Sequence, residues 1–178
     1  KMVTNINKLT VGSLTLHRYA DLDYDEWYAI SEFVDNSLHS YLNHKRELNK
    51  LGINKCEVRL SIVTGDNGEE INVHDNAGGI HSTDFERLLS LGIPKEKCET
   101  QLSEFGMGMK TASIWFGKKV EIETKHFLED KAYSITIDID KLGSDDEVKI
   151  SEVVQSSNIK GYTKIKISKL NRRLSRKK

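Results

Sequence analysis

Between residues 25 and 50 apolar side chains return every three or four positions, at Trp27, Ile30, Val34, Leu38 and Tyr41. That spacing predicts a helix over 25–50 with this stripe turned to a core. On a wheel of 3.6 residues per turn, Glu32, Asn36, His39 and Asn43 fall within roughly 60° of one another, opposite the stripe. A solvated face would look the same, so the four polar groups acquire meaning only from the rest of the chain.

Alternation replaces the helical period further on. CEVRLSIV (56–63) and EEINVHD (69–75) read as strands, joined by the hairpin turn TGDNG (64–68). STDFERLLSLG (82–92) reads as a short helix, with Thr83 and Glu86 in capping-box spacing and Gly92 at its end. Residues 93–105 are polar and without period, long for a connection inside a compact domain. GMGMKTASIWFG (106–117) starts glycine-rich and turns helical. Three strands come next, at 118–125, 131–140 and 161–170; in the second, Tyr133, Ile135, Ile137 and Ile139 alternate with polar neighbours, giving one buried and one wet face. Helices early and strands late predict an α+β fold: a two-layer α/β sandwich, with helices on one face of a mixed, mostly antiparallel sheet. Residues 1–170 form one domain in this reading, and 171–178 a basic tail leading to domains beyond this chain.

Composition narrows the function classes. Lys+Arg and Asp+Glu are both 27, so no overall field draws the chain to nucleic acid or an anionic membrane, and direct DNA binding by this segment has no support. No apolar run approaches the ~20 residues of a membrane span. Cys56 and Cys98 lack metal-ligand spacing, and the histidines show no H-E-x-x-H; a reduced, cytoplasmic protein (nuclear in a eukaryote) is the simplest expectation.

Three stretches carry candidate chemistry. VHDNAGGI (73–80) ends a buried-looking strand with Asp75 and then supplies Gly78 and Gly79, an acceptor beside backbone that a flat polar ligand can approach; an Asp–Asn turn after a strand has the same letters. FGMGMKTAS (105–113) runs Gly106 and Gly108 into a helix with Lys110 close behind, which suits an anionic phosphate. Met109 between Gly108 and Lys110 excludes a Walker A loop. The third is the polar face of helix 25–50.

Taken in order, E-x-x-x-N on a helix, D-N-A-G-G at a strand end, a polar segment, G-x-G-x-K opening a helix and GYTKIKI (161–167) on a late strand resemble the GHKL (Bergerat-fold) ATPases. In pattern the chain is most similar to the N-terminal ATPase domains of MutL, microrchidia and heat-shock chaperone type. The resemblance runs over about residues 25–170 and implies an ATP-binding domain that hydrolyses ATP with Mg²⁺, slowly in isolation, in a conformational cycle with nucleotide-dependent homodimerisation. Glu32 would be the general base and Asn36 the Mg²⁺ ligand. Asp75 would accept the adenine amine with Thr163 beside it, and Gly79 would let the chain pass the base. Gly106, Gly108 and Lys110 would sit on the phosphates, and about 93–108 would be a lid. His39 stands where the family often has Asp, and Ala77 where it often has Gly; packing is the expected role of His39. Two alternatives stay open: a histidine kinase catalytic module, which typically has Asn at the position of Glu32, and a nucleotide-binding module with negligible turnover. DNA repair, silencing or defence, and protein remodelling all use such modules.

Overall fold

The computed structural model describes residues 4–8, 21, 23, 25–65, 68–89, 107–141, 147–153 and 160–172. Among the described residues seven strands form one sheet: β1 (Thr4–Lys8), β2 (Val58–Gly65), β3 (Gly68–Asp75), β4 (Gly117–Lys125), β5 (Ala132–Asp138), β6 (Glu147–Val153) and β7 (Tyr162–Leu170). Their order across the sheet is β1-β6-β5-β4-β7-β3-β2, and every pairing among the described residues is antiparallel. Among the same residues four helices accompany it: α1 (Glu26–Asn43), α2 (Lys45–Lys50), α3 (Phe85–Leu89, entered through a 3-10 turn at Ser82–Asp84) and α4 (Met107–Phe116).

Register explains where the core ends and the polar chemistry begins. Val73, Ile165, Ile122, Ile135 and Ile150 lie side by side across β3, β7, β4, β5 and β6, each buried on the helix-facing side. Two residues further along, on that same face, the row is Asp75, Thr163, Thr124 and Tyr133. The alternation that buries isoleucines therefore also buries Asp75, Thr163 and Thr124. Helix α4 packs on the apolar rows with Trp115 and Phe116 fully buried, and Phe33 of α1 stacks on Phe116 at 6.3 Å between ring centroids.

Helix α1 is turned differently from its apolar stripe. Its buried residues are Ala29, Phe33, Ser37, Ser40 and Tyr41, whereas Trp27, Val34 and Leu38 are exposed. The buried face is rotated by roughly 100° from the centre of the stripe, between the stripe and the Glu32–Asn36 edge. Nor is 25–50 one helix. The His44 imidazole Nδ1 lies 3.0 Å from the Ser40 carbonyl, which the His44 backbone N–H would otherwise take, and the chain breaks there into α1 and α2.

The expected strands and the segments 82–89 and 107–116 are present, within a few residues of their expected bounds. Strands β1 and β6 are additional to them. The start of α3 is capped by His81, which accepts from the Thr83 N–H, in place of the expected Thr83–Glu86 box. Gly92, Cys98, Gly106 and all of the expected lid except Met107 and Gly108 lie outside the described residues; those two belong to the first turn of α4. The expected tail is partly integral: Asn171 donates from Nδ2 to the Ile114 carbonyl (2.8 Å), and Arg172 lies 3.7 Å over the Trp115 ring. Together they hold the C-terminal end of α4.

Candidate functional site

Asp75 is the centre of the arrangement. It ends β3 pointing inward, 7% exposed, where an apolar residue would continue the row. Its Oδ2 accepts from the Ser37 hydroxyl (2.8 Å) and its Oδ1 from the Ala77 N–H (3.0 Å); the Thr163 N–H across the ladder is a third donor. Burial pushes the Asp75 carboxyl above the ordinary aspartate range, and these three donors pull it back. A carboxylate has about four lone-pair positions, and among the described residues three donors reach this one.

The loop after Asp75 is tied down from several elements. Gly78 donates its N–H to Ser40 Oγ (3.2 Å) on α1, and Ile80 donates to Thr124 Oγ1 (2.9 Å) on β4. Thr124 in turn donates to the Tyr162 carbonyl and lies 3.5 Å from the Thr163 hydroxyl. Gly79 has φ +71°, and a Cβ there would stand 1.9 Å from the Lys125 carbonyl oxygen, so glycine is required twice over. Asn76 is structural: its amide bridges the Glu57 N–H and the Lys55 carbonyl. The Ala77 methyl packs with Tyr41, Leu48 and Ile53. Behind the loop, the His126 ring meets His44 and His81 edge-on, at 5.6 and 4.9 Å between centroids. Burial, then the neighbouring His81 and His44, pull His126 down to about 4.

On the other side of α1, Glu32 reaches the first turn of α4. A Cβ on Gly108 would lie 1.8 Å from Glu32 Oε2, so the carboxylate rests directly on backbone that a side chain would cover. A carboxylate there is favoured by the helix dipole. Asn36, one turn along, donates from Nδ2 to the Glu32 carbonyl (2.5 Å), which leaves its amide oxygen as the atom suited to a hard cation. The Nε2 of His39 pairs with Asn43 Nδ2 at 2.8 Å.

The structure thus gathers Glu32, Asn36 and Gly108 on one side of α1, and Asp75, Gly79 and Thr163 beside Ser37 and Ser40 on the next. It does not bring Lys110 to them. Two residues after Gly108 is about 200° around a helix, and the Lys110 ammonium is buried on the far flank, donating to the Arg87 carbonyl at 2.9 Å. Burial, then the Arg87 charge, lower its pKa to about 8. Ser37, Ser40 and Thr124 were not among the expected site residues. A signal existed for the serines: at 37 and 40 they lie on one helical face with Phe33, and a polar pair there needs partners. Among the described residues no group of three His, Cys, Asp or Glu is arranged to hold a metal ion, so a cation here would take most of its ligands from phosphate and water.

An α+β sandwich with a buried strand-end carboxylate, a glycine loop beside it and an acid resting on a helix N-terminus defines a nucleotide-binding domain of the GHKL type. The chain belongs to the histidine kinase-, DNA gyrase B- and HSP90-like ATPase family, whose model matches residues 24–171. A search of curated proteins found no match. No helix among the described residues is long and apolar enough to cross a membrane.

Proposed function

We propose that this domain hydrolyses ATP with Mg²⁺, Glu32 acting as general base. The observation that carries the reading is the seating of the Glu32 carboxylate on Gly108, one helical turn from Asn36. Asp75 accepts from the adenine amine, and the Thr163 hydroxyl stands next to it. Gly79 keeps the loop close to the sheet, where it would let the chain pass the base. Asn36 contributes an oxygen to Mg²⁺, whose charge, when bound, offsets that of the phosphates. The α4 N-terminus, starting at Met107 and Gly108, offers backbone N–H groups to anionic oxygens. Glu32 accepts the proton of the attacking water. An acid at this position argues against a histidine kinase module, in which a base that activates water would waste the ATP.

The test is calorimetry with Mg²⁺ and a non-hydrolysable ATP analogue on the parent, Asp75→Asn and Glu32→Ala, together with phosphate release. Expected are micromolar-range binding by the parent, severe loss for Asp75→Asn, and retained binding with most turnover lost for Glu32→Ala. Binding that Asp75→Asn leaves intact would remove Asp75 from the site. Equal turnover in Glu32→Ala and parent would remove Glu32 from the chemistry.

A further inference from the structure

Adenine recognition makes one demand that the fold does not meet by default. An ionised carboxylate can only accept, which suits the 6-amino group of adenine and excludes a 6-oxo group; once protonated it can also donate, and it then admits the 6-oxo group of hypoxanthine or guanine. Asp75 is 7% exposed, and burial favours its neutral form. What keeps it charged is therefore what sets the preference.

Groups from several elements face this carboxyl. From β7 comes the Thr163 N–H, and from the loop after β3 the Ala77 N–H. Along β3 is His74, whose charge favours the ionised form. Ahead of β2 lies the Cys56 thiol, itself pushed up by burial and by Asp75. From α1 comes the Ser37 hydroxyl at 2.8 Å. The two backbone donors are fixed by sheet register and loop path. Among the described residues Ser37 is the side chain that donates to Asp75, and its own surroundings fit a switchable donor. Its oxygen also lies 2.9 Å from the Phe33 carbonyl, and a hydroxyl has one proton. Facing a charged Asp75 that proton goes to the carboxylate; facing a protonated one it can turn to the Phe33 carbonyl instead.

We infer that Ser37 is a positioning residue that holds Asp75 in its acceptor state and so makes the site select 6-amino over 6-oxo purine nucleotides. This rests on the proposed adenine role of Asp75. Charge-assisted hydrogen bonds are roughly twice as strong as neutral ones, so removing the hydroxyl costs the ionised state more than the neutral one, by a factor of about ten.

The experiment measures affinities for Mg·ATP and Mg·ITP, which differ at position 6 of the purine, from pH 5.5 to 8.5. It uses the full chain as parent, Ser37→Ala and Ser37→Thr. Alanine is a better helix former than serine, and thermal melting checks that each variant is folded. The parent is expected to prefer ATP over the whole range. Ser37→Ala is expected to lose ATP affinity relative to the parent increasingly as pH falls, by up to about ten-fold, and to lose most of its preference over ITP at the acid end of the range. Ser37→Thr keeps a hydroxyl and matches the parent. Titration of the triphosphate is common to both ligands and cancels in their ratio. A Ser37→Ala deficit that is the same at every pH, or the same for ATP and ITP, overturns the inference and leaves Ser37 as packing. A parent that binds neither nucleotide overturns the adenine reading itself, which is a separate result.

Discussion

Replacing Gly108 with alanine separates the chemistry of this domain from its fold. The added Cβ would stand 1.8 Å from Glu32 Oε2 and 2.5 Å from its Cδ. Ordinary contact needs about 3.4 Å or more, so the carboxylate has to retreat by roughly 1.5 Å. It is the far end of a flexible side chain, and such a move costs on the order of 1 kcal/mol in rotamer strain. Alanine in a helix recovers up to ~1 kcal/mol over glycine, and Gly108 does not have a positive φ. The net change in stability is therefore expected within ~1 kcal/mol of zero, read as an unchanged melting temperature to within a few degrees. Turnover should respond differently, because a misplacement of about 1 Å in a reacting group costs roughly 100-fold. Steady-state phosphate release and binding of a non-hydrolysable analogue, measured side by side, should give turnover down about 100-fold with affinity kept within a few-fold. If the effect passes through Glu32, adding Gly108→Ala to Glu32→Gln removes nothing further, a non-additivity that a double-mutant cycle reads directly. Parent-like turnover in Gly108→Ala, or fully additive losses, would refute the assignment of Glu32.

Three further perturbations test the frame around it. Gly79→Ala puts a side chain 1.9 Å from the Lys125 carbonyl at φ +71°; with backbone and not side chain in the way, denaturant unfolding should show a loss of ~3 kcal/mol or more, and a loss below 1 kcal/mol would mean that the loop relaxes. Lys110→Met removes an ammonium whose folded pKa of about 8 lies below its unfolded value. The unfolded chain then holds more protons between about pH 8 and 10.5, so parental stability should rise with pH there and the variant's should not. Because Lys110 donates to the Arg87 carbonyl, nucleotide affinity should change less than three-fold, and a 30-fold loss would return Lys110 to the phosphates. His126, pulled down to about 4, gives the same sign in acid: stability is full above pH ~6.5 and falls by up to ~3 kcal/mol toward pH 4. In His126→Phe that portion of the acid slope should flatten, and an unchanged slope would assign the loss elsewhere.

How far the sequence could be read depended on how many kinds of signal met at one position. Strands β2, β3, β4, β5 and β7 were legible because alternation and turn residues agree. Asp75, Glu32 and Asn36 stood out as candidates through their order along the chain, which no single stretch supplied. Strand β6, EVKISEV, was missed because its alternation, Val148 and Ile150, is broken off at Glu152. Lys110 was misplaced because proximity along the chain says nothing about which side of a helix a residue takes; two steps from Gly108 reverse the direction. Ser37 and Thr124 escaped notice because a hydroxyl in a core row announces no partner until the opposite element is known. For Gly106 and most of the expected lid, the described residues give no comparison.

The orientation of α1 is where pattern and site conflict, and the conflict has a physical reading. By apolar spacing alone the helix would bury Trp27, Val34 and Leu38, which are instead 60%, 40% and 44% exposed. Burying a large apolar side chain is worth about 1.5–3 kcal/mol, so the observed orientation forgoes several kcal/mol, partly returned by Ala29 and Phe33. In exchange Ser37 reaches Asp75 and Ser40 reaches the Gly78 N–H. Leaving either buried group unsatisfied would cost about 1–3 kcal/mol. The same rotation brings Glu32 onto Gly108. One helix thus serves both ends of the site: its buried serines hold the strand-end carboxylate and its loop, and its edge presents the acid and the amide to α4. With α4 pinned at its other end by Asn171 and Arg172, the Glu32–Gly108 contact cannot be relaxed by sliding α4 away. A departure from hydrophobic pattern at the one element shared by both halves of the site is what a functional constraint on that helix produces.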